Sequence, residues 1–141
     1  MARIELWMTV FAGLSGGLAG VLWSGLVTTA WLGRDRGPGE VEAETASRVL
    51  AGAALRAAAG AALGFLFWLG WGLIALVGTP WYAVGLVYGG LTWTAVAAPA
   101  LGTLALRGHG PLRPIVAHAV EWLFTCLAIG LLCALAWHRY A

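Results

Sequence analysis

The sequence predicts an all-α fold, a polytopic membrane protein built as a bundle of four transmembrane helices. Of its 141 residues, 61% are hydrophobic and 10% are charged, and the mean hydropathy is +0.85. A soluble core of this size needs a polar shell, which this composition cannot supply. Uncharged runs of 28 residues (6–33) and 50 residues (57–106) exceed the roughly 20 residues that a helix needs to cross the hydrocarbon core.

The first span is predicted at about 6–32. Trp7 and Trp31 lie near its two ends, where amphipathic rings prefer the membrane–water interface. The apolar run is too long for a signal peptide, so we expect this segment to remain in the protein. The polar segment 33–48 follows. The Gly-Pro-Gly sequence in its first half predicts a loop, and a helix is compatible with its second half.

The 50-residue uncharged run suits two helices, which we place at about 52–77 and 81–106. The division falls at Gly78–Trp81, because glycine weakens a helix end and proline disfavours helical conformation in the residue before it. Pro99 lies inside the third span, where a membrane helix tolerates it with a kink. The fourth span is predicted at about 115–137, after the turn RGHGPLRP.

The distribution of arginine predicts the orientation, since the chain has no lysine. Cytoplasmic loops of membrane proteins carry an excess of basic residues. The loops 33–48 and 107–114 with their flanks hold six arginines, whereas the opposite side holds two, Arg3 and Arg139. We therefore expect a multi-pass membrane protein with these two loops in the cytoplasm and both termini outside.

Reporter fusions test this orientation. A reporter at residue 141 should be active on the outer side, and one inserted near Gly37 should be active in the cytoplasm. A C-terminus in the cytoplasm would contradict the arginine count.

A weak internal repeat accompanies this topology. At an offset of 69 residues, Gly16 aligns with Gly85 and Gly20 aligns with Gly89, along with several leucine and valine matches. If the repeat is genuine, the protein consists of two tandem helical hairpins related by an axis along the membrane normal.

Small-residue pairs spaced by four positions predict close helix packing. Helices in lipid associate through close backbone contact, which glycine permits. Two uses remain open, a homodimer face and ordinary packing within the bundle. The glycines concerned are Gly13, Gly16, Gly17, Gly20, Gly60, Gly64, Gly85 and Gly89.

Glu121 is an acidic residue inside a strongly apolar run, about 10 Å along the helix from the proline that opens the fourth span. A charge facing lipid costs several kcal/mol, so we expect Glu121 to point into the bundle, near Arg56 of the second span. His118 lies one turn earlier and Thr125 one turn later. These four residues form either a structural ion pair that fixes helix register or a proton or cation site.

The sequence lacks the residue patterns that metal binding, catalysis or a nucleic-acid partner would need. A metal would need several His, Cys or carboxylate groups at one depth, and His118 with Glu121 is the only close pair in the sequence. No nucleophile, phosphate-binding or redox motif occurs, so we expect no catalytic residue, metal or other cofactor. The basic residues are scattered, which argues against a nucleic-acid partner.

Two stretches carry a family resemblance. One is GLSGGLAGVLWSGLV in the first span, followed by a loop with Arg and Pro; the other is APALGTLALRGHGPLRPIVAHAVEWLF. Together they cover about a third of the chain, and they resemble the YagU-like family of small bacterial inner-membrane proteins. The long polar insertion between early spans of that family is much reduced here. The resemblance implies a multi-pass protein of the bacterial plasma (inner) membrane. The family has no established biochemical activity, so the resemblance implies no mechanism.

We therefore expect a small membrane protein without enzymatic activity that packs with itself, as a homo-oligomer, or with a membrane-protein partner in the lipid bilayer. The alternative is a small oligomeric transporter or channel with a proton- or ion-linked site around Glu121. A conduit needs a hydrated crevice that reaches Glu121, whereas a packing module buries it dry with its partner.

Overall fold

A computed structural model describes residues 2–27, 46–74, 78–106 and 112–140, and each of these stretches carries a long helix. The all-α, four-span prediction is confirmed. Each helix is long and apolar enough to cross a membrane, so the chain is a multi-pass membrane protein. The first, second and fourth spans are Ala2–Val27, Ala46–Ile74 and Leu112–Tyr140, and the third runs from Trp81 to Leu106.

The helices differ in extent from the prediction. The second span begins at Ala46, so the end of the predicted polar segment 33–48 is already helical. The fourth span begins at Leu112 rather than 115, because a proline is tolerated in the first turn of a helix. The predicted end of the first span, with Trp31, and most of the polar segment lie outside the described residues.

The predicted break between the second and third spans is present. Gly78 has a φ of 89°, a left-handed conformation that side chains rarely adopt. Pro80 is the N-cap of the third span, and its carbonyl accepts hydrogen bonds from the amides of Ala83 and Val84. The residues Gly78–Pro80 therefore lead directly into the third span.

Pro99 affects the third span through the turn before it. The residues Trp93–Ala97 form a π-helical turn between the α-helical segments Trp81–Thr92 and Ala98–Leu106. The amide of Ala98 bonds to the carbonyl of Trp93, five residues back. Proline has no N–H and its ring crowds the carbonyl four residues earlier, so a wider turn at this place relieves the clash.

The fourth span lies at the centre of the bundle. The first span packs against both the second and the fourth, and the third packs mainly against the fourth. The core between them consists of Phe67, Val84, Tyr88, Ile129, Cys133 and Ala134. Tyr88 links the third span to the second, since its hydroxyl donates to the carbonyl of Leu63 at 2.7 Å and its ring meets Phe67 edge-on at 4.9 Å.

The predicted small-residue pairs lie at contacts between spans of one chain. A side-chain carbon on Gly13 would meet the carbonyl oxygen of Gly60, and one on Gly60 would meet that of Gly13. Gly17 and Gly64 complete the contact of the first span with the second, and Gly16 and Gly20 face the fourth span. Bundle packing therefore uses all of these glycines, together with Gly85 and Gly89 on the third span.

The internal repeat aligns two glycine pairs, and a twofold axis would give the two pairs equivalent neighbouring helices. Gly16 and Gly20 pack on the fourth span, and a twofold axis would place Gly85 and Gly89 on the second. Instead, both contact the fourth span, where Gly85 meets Gly130 and Leu131. The 69-residue offset is therefore not reflected in the neighbours of these helices.

Candidate functional site

The Glu121 carboxylate lies at the centre of a buried contact group. Arg56 Nη2 donates to Glu121 Oε2 at 3.0 Å, and His118 Nδ1 lies 3.1 Å from the same oxygen. Glu121 is 1% exposed, whereas 14% of the Arg56 side chain and 57% of the His118 side chain are exposed. The structure therefore brings three of the four predicted site residues together, with the acid at the most buried position.

Arg56 also contacts the first span and an aromatic ring. Its Nη1 donates to the backbone carbonyl of Gly20 at 2.6 Å, and its guanidinium carbon lies 5.6 Å from the centre of the Trp122 ring. A planar guanidinium can make such directed hydrogen bonds and a cation–π contact at once. One side chain of the second span thereby contacts both the first and the fourth spans.

Thr125 does not join the contacts of the carboxylate. Its hydroxyl donates to the backbone carbonyl of Glu121 at 2.9 Å, the usual bond of a threonine to the residue one turn earlier in a helix. Its side chain fills the space that Gly20 leaves open on the first span. Thr125 thus contributes to packing beneath the ion pair.

The ion pair lies at hydrocarbon depth. The middle of Leu112–Tyr140 falls at residue 126, so Glu121 is about 7 Å from it along the helix. The middle of Ala46–Ile74 falls at residue 60, which places Arg56 about 6 Å from that point. Half the hydrocarbon core is about 15 Å thick, so lipid cannot solvate either charge and each needs the other.

His118 lies nearer to the membrane surface. It is eight residues from the middle of the fourth span, or about 12 Å, and its ring is more than half exposed. One edge of the imidazole contacts Glu121, and the rest of the side chain lies on the outer surface of the bundle. Among the described residues, it is the exposed ionisable group in contact with the buried carboxylate.

The opposite half of the bundle is closed by apolar side chains. Phe67, Ile129, Cys133 and Ala134 are each at most 1% exposed. Thr9 is equally buried there, but its hydroxyl bonds to its own helix and its carbonyl accepts a weak bond from the Cys133 thiol. Among the described residues on that side, Thr9 is thus the buried polar side chain.

The described residues contain no group of three or more histidine, cysteine, aspartate or glutamate side chains that could hold a metal ion. The two cysteines, Cys126 and Cys133, are free and buried.

The sequence did not indicate a role for the Gly20 carbonyl, Trp122 or Gly130. A glycine opposite an intramembrane arginine exposes a backbone acceptor, so the glycine at position 20 was a signal that the prediction did not use. Trp122 follows Glu121 directly, but the face on which its ring lies depends on how the helices pack. Gly130 meets the backbone of Gly85, yet it has no glycine four residues away to mark it.

Comparisons of the chain with protein-family models, with curated proteins and with solved structures find no match.

Proposed function

We propose that the protein is a multi-pass membrane protein without enzymatic activity that assembles with itself or with a membrane partner. The observation that carries this proposal is the burial of Glu121 in direct contact with Arg56. A conduit needs its ionisable groups on a hydrated path, whereas here the acid and the base join three helices. The ionisable groups of the site therefore hold the bundle together.

The outer surface supports the assembly role. Within Leu50–Gly70 of the second span, only Gly60, Gly64 and Phe67 are buried inside the bundle. Large side chains such as Leu55, Leu66 and Leu69 are more than half exposed there. Such a surface is available to lipid and to the spans of other proteins.

Energy transfer between two fluorescently labelled pools in liposomes tests self-assembly. We expect transfer that persists when excess lipid dilutes the protein and that falls when unlabelled protein is added. Transfer that decays to the level of random collisions would rule out self-assembly. Cross-linking in native membranes that then yields only monomers would contradict the assembly role altogether.

His118 favours a second candidate function, a proton- or ion-linked site. Its side chain is 57% exposed on the surface of the bundle and its Nδ1 lies 3.1 Å from the buried carboxylate, so it is the group through which a proton would enter the site. A transporter of this kind would need to oligomerise or change conformation to open the apolar half of the bundle.

Liposome flux separates the two candidates. If the protein carries protons or ions, Glu121→Gln should remain folded and lose a flux that the wild type shows. If the assembly proposal holds, wild-type liposomes should leak no more than empty ones. The resemblance to the YagU-like family agrees with either candidate and remains a hypothesis.

A further inference from the structure

A crevice between the second and third spans has no role in the site described above. Its volume is about 250 Å³, and its lining surface is apolar. Thr92 lines it but directs its hydroxyl to the carbonyl of Tyr88, so its polar atom is already used. The walls come from three spans and include Ala59, Ala62, Leu63, Val96, Ala97 and Trp122.

The crevice lies close to the middle of the bilayer. Ala59 and Leu63 flank residue 60, the middle of the second span, and Cys126 in the wall is the middle residue of the fourth. The rim residues Ala62 and Val96 are exposed. An opening at this depth faces the hydrocarbon of the membrane sideways. Leu66, one turn after Ala62, and Leu91, next to Thr92 in the sequence, are exposed as well.

The bundle holds the crevice open. The first half of the third span is fixed to the fourth by the close contacts of Gly85 and Gly89. The π-helical turn then carries Val96 and Ala97 into the wall. Hydrogen bonds tie the third span to its neighbours near both ends of the crevice, from Tyr88 to the Leu63 carbonyl and from Trp93 Nε1 to the Ala119 carbonyl.

We propose that this crevice binds the hydrocarbon chain of one bilayer lipid and retains it as part of the structure. The lining offers water no free hydrogen-bonding partner, and enclosed apolar cavities of about 150 Å³ stay dry and take up apolar ligands. An empty crevice would forfeit the dispersion contacts of its walls. The lipid chain is the occupant present at this depth and on this surface, and it reaches the crevice without any rearrangement of the bundle.

The proposal is tested by native mass spectrometry of the protein in mild detergent, from which loosely associated lipid is lost. Wild-type protein should retain one phospholipid per chain. Ala59→Leu, which fills the crevice, should reduce that adduct at least tenfold. Ala58→Leu makes the same change at the neighbouring exposed residue, which does not line the crevice, and should keep the adduct.

A second measurement uses the wild-type chain, in case Ala59→Leu does not fold. A phospholipid with a diazirine in the middle of its chain is added back at one equivalent, illuminated, and its adducts are mapped. Labelling should concentrate on 59–63, 92–97 and 122–126. Wild-type protein without a retained lipid, labelling spread evenly over exposed residues such as Leu18 and Leu22, or a lipid-free dimer cross-linked through Val96 would overturn the proposal.

Discussion

Replacing Glu121 with glutamine should lower the free energy of unfolding by about 3 kcal/mol, the lower end of the range for breaking a buried ion pair. The substitution keeps the shape of the side chain and removes its charge. Arg56 would then remain at hydrocarbon depth, bonded to the Gly20 carbonyl but without a counter-charge. Unfolding in mixed micelles with increasing denaturing detergent, followed by circular dichroism, measures the loss.

The double variant Glu121→Gln with Arg56→Gln identifies the origin of that loss. Because neither charge is left unpaired, the double variant should be more stable, by more than 1 kcal/mol, than the sum of the two single losses predicts. Glu5→Gln and Arg139→Gln remove the same groups near the ends of the first and fourth spans, and each should cost well under 1 kcal/mol. Additive losses at Glu121 and Arg56 would mean that the two side chains do not stabilise each other.

Replacing Gly60 with alanine should destabilise the bundle by about 1–3 kcal/mol, the usual cost of overpacking. The added methyl group would meet the carbonyl oxygen of Gly13, and backbone on both helices cannot move aside locally. The first and second spans would have to separate, which would also lengthen the contact of Arg56 with the Gly20 carbonyl.

Gly52→Ala is the matched control on the same helix. A methyl group at Gly52 has no atom within 4 Å, so alanine should leave the packing unchanged and gain helix propensity, up to about 1 kcal/mol. The two substitutions are thus expected to have opposite signs. If alanine at Gly60 is as well tolerated as at Gly52, the close approach of the first two spans does not contribute to stability.

The sequence was sufficient for the class of fold and for the partner of Glu121. In lipid, a helix satisfies the backbone N–H and C=O groups of a long uncharged run. The break at Gly78 and Pro80 follows from local backbone chemistry. Arg56 was identified because the second span carries few permanent charges and because its predicted depth matched that of Glu121. Both predictions rest on strong, local constraints.

The details of packing could not be predicted in the same way. Thr125 has the spacing for a contact with the Glu121 side chain, but the backbone carbonyl one turn back is the nearer acceptor. Pro99 predicted a kink, whereas the structure has a π-helical turn before it; both relieve the clash, so the proline alone does not decide between them. The crevice depends on how two helices that are distant in sequence diverge, and no residue pattern encodes that directly.

Solid-state NMR in lipid bilayers measures most directly whether Arg56 and Glu121 contact each other inside the bundle. With ¹⁵N-arginine and ¹³C-glutamate, we expect a dipolar coupling between the guanidinium nitrogen of Arg56 and the carboxyl carbon of Glu121. Its size should fit the 3.0 Å contact between Nη2 and Oε2, and it should disappear in Arg56→Gln. We also expect slow magnetisation transfer from water to that carboxyl carbon. The buried ion pair would be contradicted if the carboxyl signal of Glu121 lacked this coupling and received magnetisation from water as fast as an exposed glutamate does.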